Sequence, residues 1–380
     1  MDFGLTADQR KRYGDILGSA RRLHRPPAAS GSHADRGAWR AAAELGLTGL
    51  CLPEEHGGGG LGALDTALCL EAATAGGADT GLVFGVAAHL LACGIPISNF
   101  ADHEVRADLL RGMAATPLIA ANAMTEDGAG SDVSRLSTTA VPDGDAYVLN
   151  GVKSFVSNGP LADVFLAYAV TDRTAGYLGL SAFAVPADLA GITVGPLLAK
   201  MGLHGCAAAR VEFSGCRVPA RYRLGREGQG SAIFQGSMGW ERACLPAIYL
   251  GVLDGQLRRC AAHARQRRQF GRDIADFQAI SHKLAIMKQR LESARLLLYR
   301  ACWLLDDGSE DPTVPAALSK VAVSEAAVAS GLDAIQIFGA AGYLTESGIE
   351  QQLRDAVPSA IFSGTTQIQR EMIAREVLGE

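Results

Sequence analysis

AYVLNGVKSFVSN (146–158), DVFLAYAV (163–170), LSAFAVP (180–186), GITVGPL (191–197) and ARVEFSGCRVP (209–219) follow one another in the middle of a 380-residue chain. Each run is rich in β-branched or aromatic residues and ends on Gly, Pro, Asn or Asp, the pattern of strands closed by turns. Residues 119–226 therefore read as a middle β domain, a small barrel or sandwich. On its C-terminal side the period changes: Leu284, Met287, Leu291, Ala294, Leu298, Ala301 and Leu305 recur at spacings of three and four, with Lys288, Arg290, Glu292 and Arg295 between them and Asp307-Gly308 as a stop. A second long helix is predicted from near Pro315 to Gly339, with Val321, Val328, Leu332 and Ile335 on one face, so residues 227–380 read as an antiparallel four-helix bundle. On the N-terminal side, residues 1–118 read as short Ala-rich helices punctuated at Pro26-Pro27, at glycines 57–60 and at Gly76-Gly77. Helix, β and helix blocks in that order make an α+β fold, and no GxGxxG follows a strand to open a Rossmann unit.

The composition narrows the function. With 48% hydrophobic and 20% charged residues the chain is globular, and its length implies two or three domains. Lys plus Arg total 35 against 40 Asp plus Glu, a net charge of -5, so no nucleic-acid partner is expected. The uncharged run 80–101 is broken by His89, Pro96, Ser98 and Asn99 and flanked by Asp79 and Asp102, which argues against a membrane span. MDFGLTADQR lacks the basic and apolar regions of a secretory leader, so a cytoplasmic protein is expected. Eight cysteines without CxxC, and eight histidines without HxxxH or HExxH, point to neither a disulfide framework nor a metal centre.

Four local features carry chemistry, each with an ordinary structural alternative. In TEDGAGSD (125–132), Gly128 and Gly130 expose backbone N–H groups while Thr125 and Ser131 add hydroxyls, a set suited to a phosphate or a polar ring edge and equally to a plain turn. In KSFVSN, alternation sends Phe155 and Ser157 to one face. Arg258, Arg259, Arg265, Arg267, Arg268 and Arg272 form a basic stretch, either a solvated face or a binding surface. Glu241 reads as a helix acid favoured by the dipole or as a base.

Six segments in order, LPEEHGGGGLG (52–62), AMTEDGAGSD (123–132), LNGVKSFVSNG (149–159), RQRRQFGR (265–272), QIFGAAGY (336–343) and FSGTTQIQREMIARE (362–376), resemble the acyl-CoA dehydrogenase family of flavoproteins over essentially the whole chain. The resemblance implies an FAD cofactor. It implies that Met124 and Thr125 lie along the flavin pyrimidine edge, with Gly130 among the cofactor contacts and Ser131 near the pyrophosphate. Phe155 is placed against the flavin ring and Ser157 at its N5, positions where the family commonly carries Trp and Thr; the family usually has Pro in place of Asp127. Arg267, Gln269 and Phe270 are implied to reach a neighbouring subunit's FAD, beside Gln278 and Gln336. The Gly339-Ala340 backbone is implied at the diphosphate, and Thr365 and Gln367 at the flavin from the other side. Such a site implies a homotetramer built as a dimer of dimers.

The family removes an α-proton from an acyl thioester as a β-hydride moves to the flavin. Many members carry the glutamate base just before the Gly-Thr of the C-terminal loop, where this chain has Ser363; a minority carry it on the first long bundle helix before an arginine, matching Glu241-Arg242. Glu241 is thus implied as the base, Arg242 as its orienting or substrate-side partner, and Phe362 and the Ser363 amide as substrate contacts. The block from GWERACL through residue 303 most resembles the L-prolyl carrier-protein dehydrogenase branch, so the expected substrate is an acyl thioester on a carrier protein, or on CoA, with prolyl oxidised toward pyrrole-2-carboxyl. The alternatives are a short or branched-chain acyl-CoA dehydrogenase, a flavin monooxygenase on the same fold, and a flavin-binding protein without catalysis.

Overall fold

The computed structural model describes residues 4–25 and 34–379; Met1 to Phe3 of the N-terminal reading and the Pro26-Pro27 punctuation lie outside the described residues. Helices α1 Ala7–Ser19, α2 Arg36–Glu44, α3 Ala63–Ala75, α4 Thr80–Ala88, α5 Ile95–Phe100 and α6 His103–Ala115 come first. Strands β1 Ala120–Ala123, β2 Thr139–Asp143, β3 Ala146–Ser157, β4 Val164–Val170, β5 Leu180–Pro186, β6 Ile192–Val194, β7 Ala208–Pro219 and β8 Arg223–Leu224 follow. Then come α7 Gly230–Cys244, α8 Ala247–Gln266, the hairpin β9 Arg268–Gln269 and β10 Arg272–Asp273, α9 Gln278–Asp307, α10 Thr313–Phe338, α11 Ala340–Tyr343, α12 Ile349–Ala356 and α13 Thr366–Leu378.

The first eight strands form one sheet in the order β6-β7-β3-β2-β4-β5-β8, with β1 parallel beside β4. The sheet rolls around its own core, and strand alternation sorts the two faces. On β4, Phe165, Ala167 and Ala169 enter the strand core with Tyr147, Phe183 and Phe213, while Val164, Leu166 and Tyr168 face the helices. Both faces of β4 are covered, which is why its sequence is apolar throughout.

α4, the wide turn His89–Gly94 and α5 run on as one apolar stretch, Thr80–Phe100, long enough to cross a bilayer; 89% of its most apolar window is buried inside the protein. Thr313–Phe338 also passes on length and composition, with 44% of its window buried. Asp79 caps the first of these by accepting from the Leu82 N–H at 2.8 Å. The N-terminal helices are tied to the bundle by two carboxylates. Asp306 accepts from the Ala63 and Leu64 N–H groups at the start of α3, and buried Glu71 accepts from Arg295 and Tyr299, each at 2.9 Å.

The expected seam of α9 is buried at Met287, Leu291, Ala294, Leu298 and Ala301, with Leu284 and Leu305 half-buried, and the helix stops on left-handed Gly308. The inward face of α10 differs from expectation. Leu332 is 52% exposed and Val321, Val328 and Ile335 are only half-buried, whereas Ala316, Ala317, Val323, Ala327, Ser330, Gly331 and Ala334 are buried. α10 is packed on α8, α9, α12 and α13 together, and close approach on several sides selects small residues. A Cβ on Gly331 would stand 3.2 Å from that of Leu353. Large apolar side chains are left outward, among them Leu296 and Trp303 a heptad apart on α9.

Candidate active site

α7 presents Phe234, Ser237 and Glu241 at spacings of three and four, hence on one face, and Pro246 separates it from α8. Glu241 is only 8% exposed. Facing it is the loop before α13, where Ser363 (φ 54°) and Gly364 (φ 88°) are both left-handed and fold the chain back. The φ of 88° favours glycine at 364, and a Cβ there would also stand 2.7 Å from the Gln369 amide. The turn aims the Ser363 hydroxyl at Glu241, to which it donates, and the Ser363 carbonyl at the Arg242 Nε, from which it accepts at 3.1 Å. The Lys320 Nζ donates to the Gly364 carbonyl at 2.5 Å, and the Gln369 amide spans both carbonyls at 3.3 and 3.2 Å. Thr365 caps α13 through the Ile368 N–H at 3.3 Å, so its hydroxyl already has a structural task.

Burial raises the Glu241 carboxyl above the ordinary carboxylate range, opposed by the Ser363 hydrogen bond and the charges of Arg242 and Lys320. Burial, then Arg242, brings the Lys320 ammonium down to about 8, with Glu241 pulling the other way. A buried carboxylate poised above its usual range beside two cations is the equipment of a general base. Sequence reasoning missed Lys320; its signal is that it is the lone charge between Asp311 and Glu325 in an Ala-rich helix. Lys320→Met is expected to move the acid limb of the base-dependent rate to higher pH, because one of the charges favouring the carboxylate is gone, and to slow the reaction at neutral pH by roughly tenfold or more as the loop loses its anchor. A rate–pH profile of the variant checks both.

Next to this base the second group of expected residues comes together. The Lys153 Nζ donates to the Met124 carbonyl at 3.1 Å and pairs with buried Glu126 at 2.9 Å, and the Ser154 N–H donates to the Thr125 carbonyl at 2.8 Å. Asp127, where the family pattern has Pro, accepts from the Ser154 hydroxyl at 2.6 Å and pairs with Arg210 at 2.7 Å. The turn is closed by reciprocal backbone bonds between Glu126 and Ala129. Gly128 and Gly130 do not use left-handed conformations, contrary to a role in forcing the turn; neither has any atom within 4 Å of where a Cβ would stand, so they leave bare backbone. Exposed Ser131 follows on the same turn.

Strand alternation alone does not explain Phe155. Lys153 and Ser154 are both buried across a register shift in β3, and Phe155 takes φ 56° with its ring 64% exposed. Ser157 lies half-buried at the end of the strand. The neighbouring Asn158 amide donates to the Gly85 carbonyl at 2.9 Å, and the Phe84 ring lies 4.9 Å from Phe362. The end of β3, α4 and the 362–365 loop therefore meet, with Gln367 exposed just beyond.

Arg267, Gln269, Phe270, Gln278, Gln336, Gly339 and Ala340 are elsewhere. Tyr249 of α8 stacks on Phe362, and Arg267 lies past the other end of the same helix, about 27 Å of rise away. There His263 stacks on Phe338 at 4.2 Å, Phe277 packs on Phe270 at 6.1 Å, and Gly339 (φ 61°) again has open space at its α-carbon. Phe270 is 93% exposed. The two groups of residues thus form separate surfaces of one chain.

An exposed aromatic face, hydroxyls beside a polar turn and bare glycine backbone fit the needs of FAD, whose ring wants an aromatic wall and whose pyrophosphate wants accessible N–H groups.

Comparison with known proteins shows the family. Family models match residues 21–117 (acyl-CoA dehydrogenase, N-terminal domain), 121–216 (middle domain) and 228–378 (C-terminal domain). The chain is 52% identical over 341 residues, 89% of each chain, to an L-prolyl-[peptidyl-carrier protein] dehydrogenase of Pseudomonas fluorescens. It is 44% identical over 339 residues, covering 89% of this chain and 88% of the other, to a protein of the same description from a Serratia strain. A solved structure described as PigA with FAD and proline superposes with a TM-score of 0.94 at 40% identity over 99% of both chains.

Proposed function

This chain belongs to the acyl-CoA dehydrogenase family, and on that premise we propose that it oxidises an L-prolyl group held as a thioester on a peptidyl carrier protein, toward pyrrole-2-carboxyl. The reaction class is FAD-dependent α,β-dehydrogenation of an acyl thioester. The observation that carries the catalytic assignment is the buried Glu241 carboxylate with Ser363 donating to it from the position where many family members carry the base. The prolyl assignment rests on the relatives, which are prolyl carrier-protein dehydrogenases at 52% and 44% identity.

Glu241 takes the α-proton onto its carboxylate. Arg242 and Lys320 hold that carboxylate ionised against burial, and the Ser363 hydroxyl fixes its orientation. The Ser363 N–H, with Phe362 as wall, offers a donor to the thioester carbonyl as negative charge develops there. Bound FAD supplies the acceptor for the hydride leaving the β-carbon. Met124, Thr125, Gly130, Ser131, Phe155, Ser157, Thr365 and Gln367 hold the cofactor in one subunit. The seven residues of the second surface, from Arg267 to Ala340, reach the cofactor of a second copy, which favours a homotetramer assembled as a dimer of dimers. Eight unpaired cysteines suit a reducing compartment, and the two apolar helices long enough to span a bilayer are read as packed helices, so the protein is assigned to the cytoplasm without a membrane span.

Mass analysis of prolyl-loaded carrier protein after aerobic incubation with the holoenzyme tests this reading. Loss of two hydrogen atoms per oxidation, ending at the aromatic ring, is expected. An unchanged carrier together with turnover of a short or branched acyl-CoA would replace the prolyl assignment with acyl-CoA dehydrogenation.

A further inference from the structure

Against the helix that carries the base lies a buried hydroxyl that a hydrocarbon acyl group leaves unused. Tyr168 is on the helix-facing side of β4, is fully buried, and stands edge-on to Phe234 of α7 with ring centroids 5.6 Å apart. Phe234, Ser237 and Glu241 share one face of α7, so the phenol sits against the face that carries the base. Its hydroxyl makes no hydrogen bond of ordinary geometry among the described residues. The Ser237 hydroxyl, which donates to the Phe234 carbonyl at 2.8 Å, lies close to the phenol and keeps lone pairs that can accept from the phenol O–H, so it is the acceptor side of the Tyr168 oxygen that meets no donor. Burial, with Cys93 and the charge of Glu241 adding to it, raises the phenol pKa, so the group is neutral and within the field of the base. A fully buried oxygen whose acceptor lone pairs meet no donor is costly and calls for a ligand or a task.

Resting on the prolyl reading above, we propose that the Tyr168 hydroxyl recognises the ring nitrogen of the acyl group by accepting from its N–H, and so selects a cyclic amino acyl thioester over its all-carbon counterpart. The ring nitrogen is bonded directly to the α-carbon, about 1.5 Å from it. Any pose that brings the α-carbon to Glu241 therefore brings the nitrogen into the same neighbourhood. Both amine and ammonium forms carry an N–H, so the contact survives either protonation state. A site built around such a hydrogen bond discriminates strongly against an analogue that cannot make it, because the buried hydroxyl is then left unpaired.

The test is single-turnover, anaerobic flavin reduction by the holoenzyme with two loaded carrier proteins, prolyl and cyclopentanecarbonyl. The wild-type protein should favour prolyl by about 100-fold or more. Tyr168→Phe should slow prolyl about 30-fold and cyclopentanecarbonyl less than threefold, with FAD content unchanged. Equal slowing of both substrates assigns Tyr168 a structural role and overturns the inference, as does a wild-type ratio near one, which needs no variant. A wild-type enzyme bleached by acyl-CoA but not by the prolyl carrier overturns the functional reading itself, an outcome distinct from either.

Discussion

Glu241→Gln is expected to slow substrate-driven reduction of the flavin by about 10⁴-fold, at the upper end of what general-base catalysis contributes, while FAD remains bound. Glutamine matches the shape of the side chain and its amide oxygen still accepts from Ser363, so the 363–364 turn keeps its hydrogen bonds to Arg242, Lys320 and Gln369. What disappears is the ability to take a proton. The wild-type enzyme should show the same dependence through pH. The group is raised above the ordinary carboxylate range by burial, so at a given acidic pH more of it is protonated than an exposed glutamate would be, and the rate falls as pH drops through that raised value. In the Gln variant this limb vanishes with the activity. Reduction at the wild-type rate by the variant would remove Glu241 from the mechanism.

Lys153→Met is expected to cost about 3–5 kcal/mol of stability, because it strands a buried carboxylate. Lys153 and Glu126 are 0% and 4% exposed and lie 2.9 Å apart. Burial alone would raise the Glu126 pKa; the charge and hydrogen bond of Lys153, with the Ser137 and Thr138 donors, instead bring it down to about 2. A depressed carboxylate contributes stability that is complete above its unfolded value near 4.5 and is lost as pH falls toward 2. Denaturant unfolding at neutral pH should show the loss in the single variant. Much of it should return in Lys153→Met with Glu126→Gln, which leaves no unpaired charge. The pair matters to the site as well as to the fold, since Lys153 also holds the Met124 carbonyl. FAD affinity should therefore drop in the single variant.

Much of this was legible along the chain, and the exceptions have physical causes. The strand runs and the α9 seam are periodic, so one face of each is dictated by local spacing. Glu241 and Ser363 are 122 residues apart, yet a base missing from one place and present in the other is a pattern of residue types, and the fold joins them through one hydrogen bond. Lys320 and Tyr168 carry no such pattern: a lone lysine among alanines and one aromatic in a doubly buried strand gain meaning only from what packs against them. Hydrophobicity alone points to the large residues of α10, whereas packing on several helices at once favours its alanines, its serines and Gly331. Phe155 is exposed with φ 56° at a local register shift that period-two reasoning does not foresee.

Anaerobic mixing of the holoenzyme with prolyl-loaded carrier protein, following the oxidised flavin absorbance for the wild type beside Glu241→Gln, joins the base, the cofactor and the substrate in one observation. Bleaching of the wild type by the prolyl carrier, with the variant unchanged, is the expected result. No bleaching by the prolyl carrier, or equal bleaching of both proteins, would contradict it.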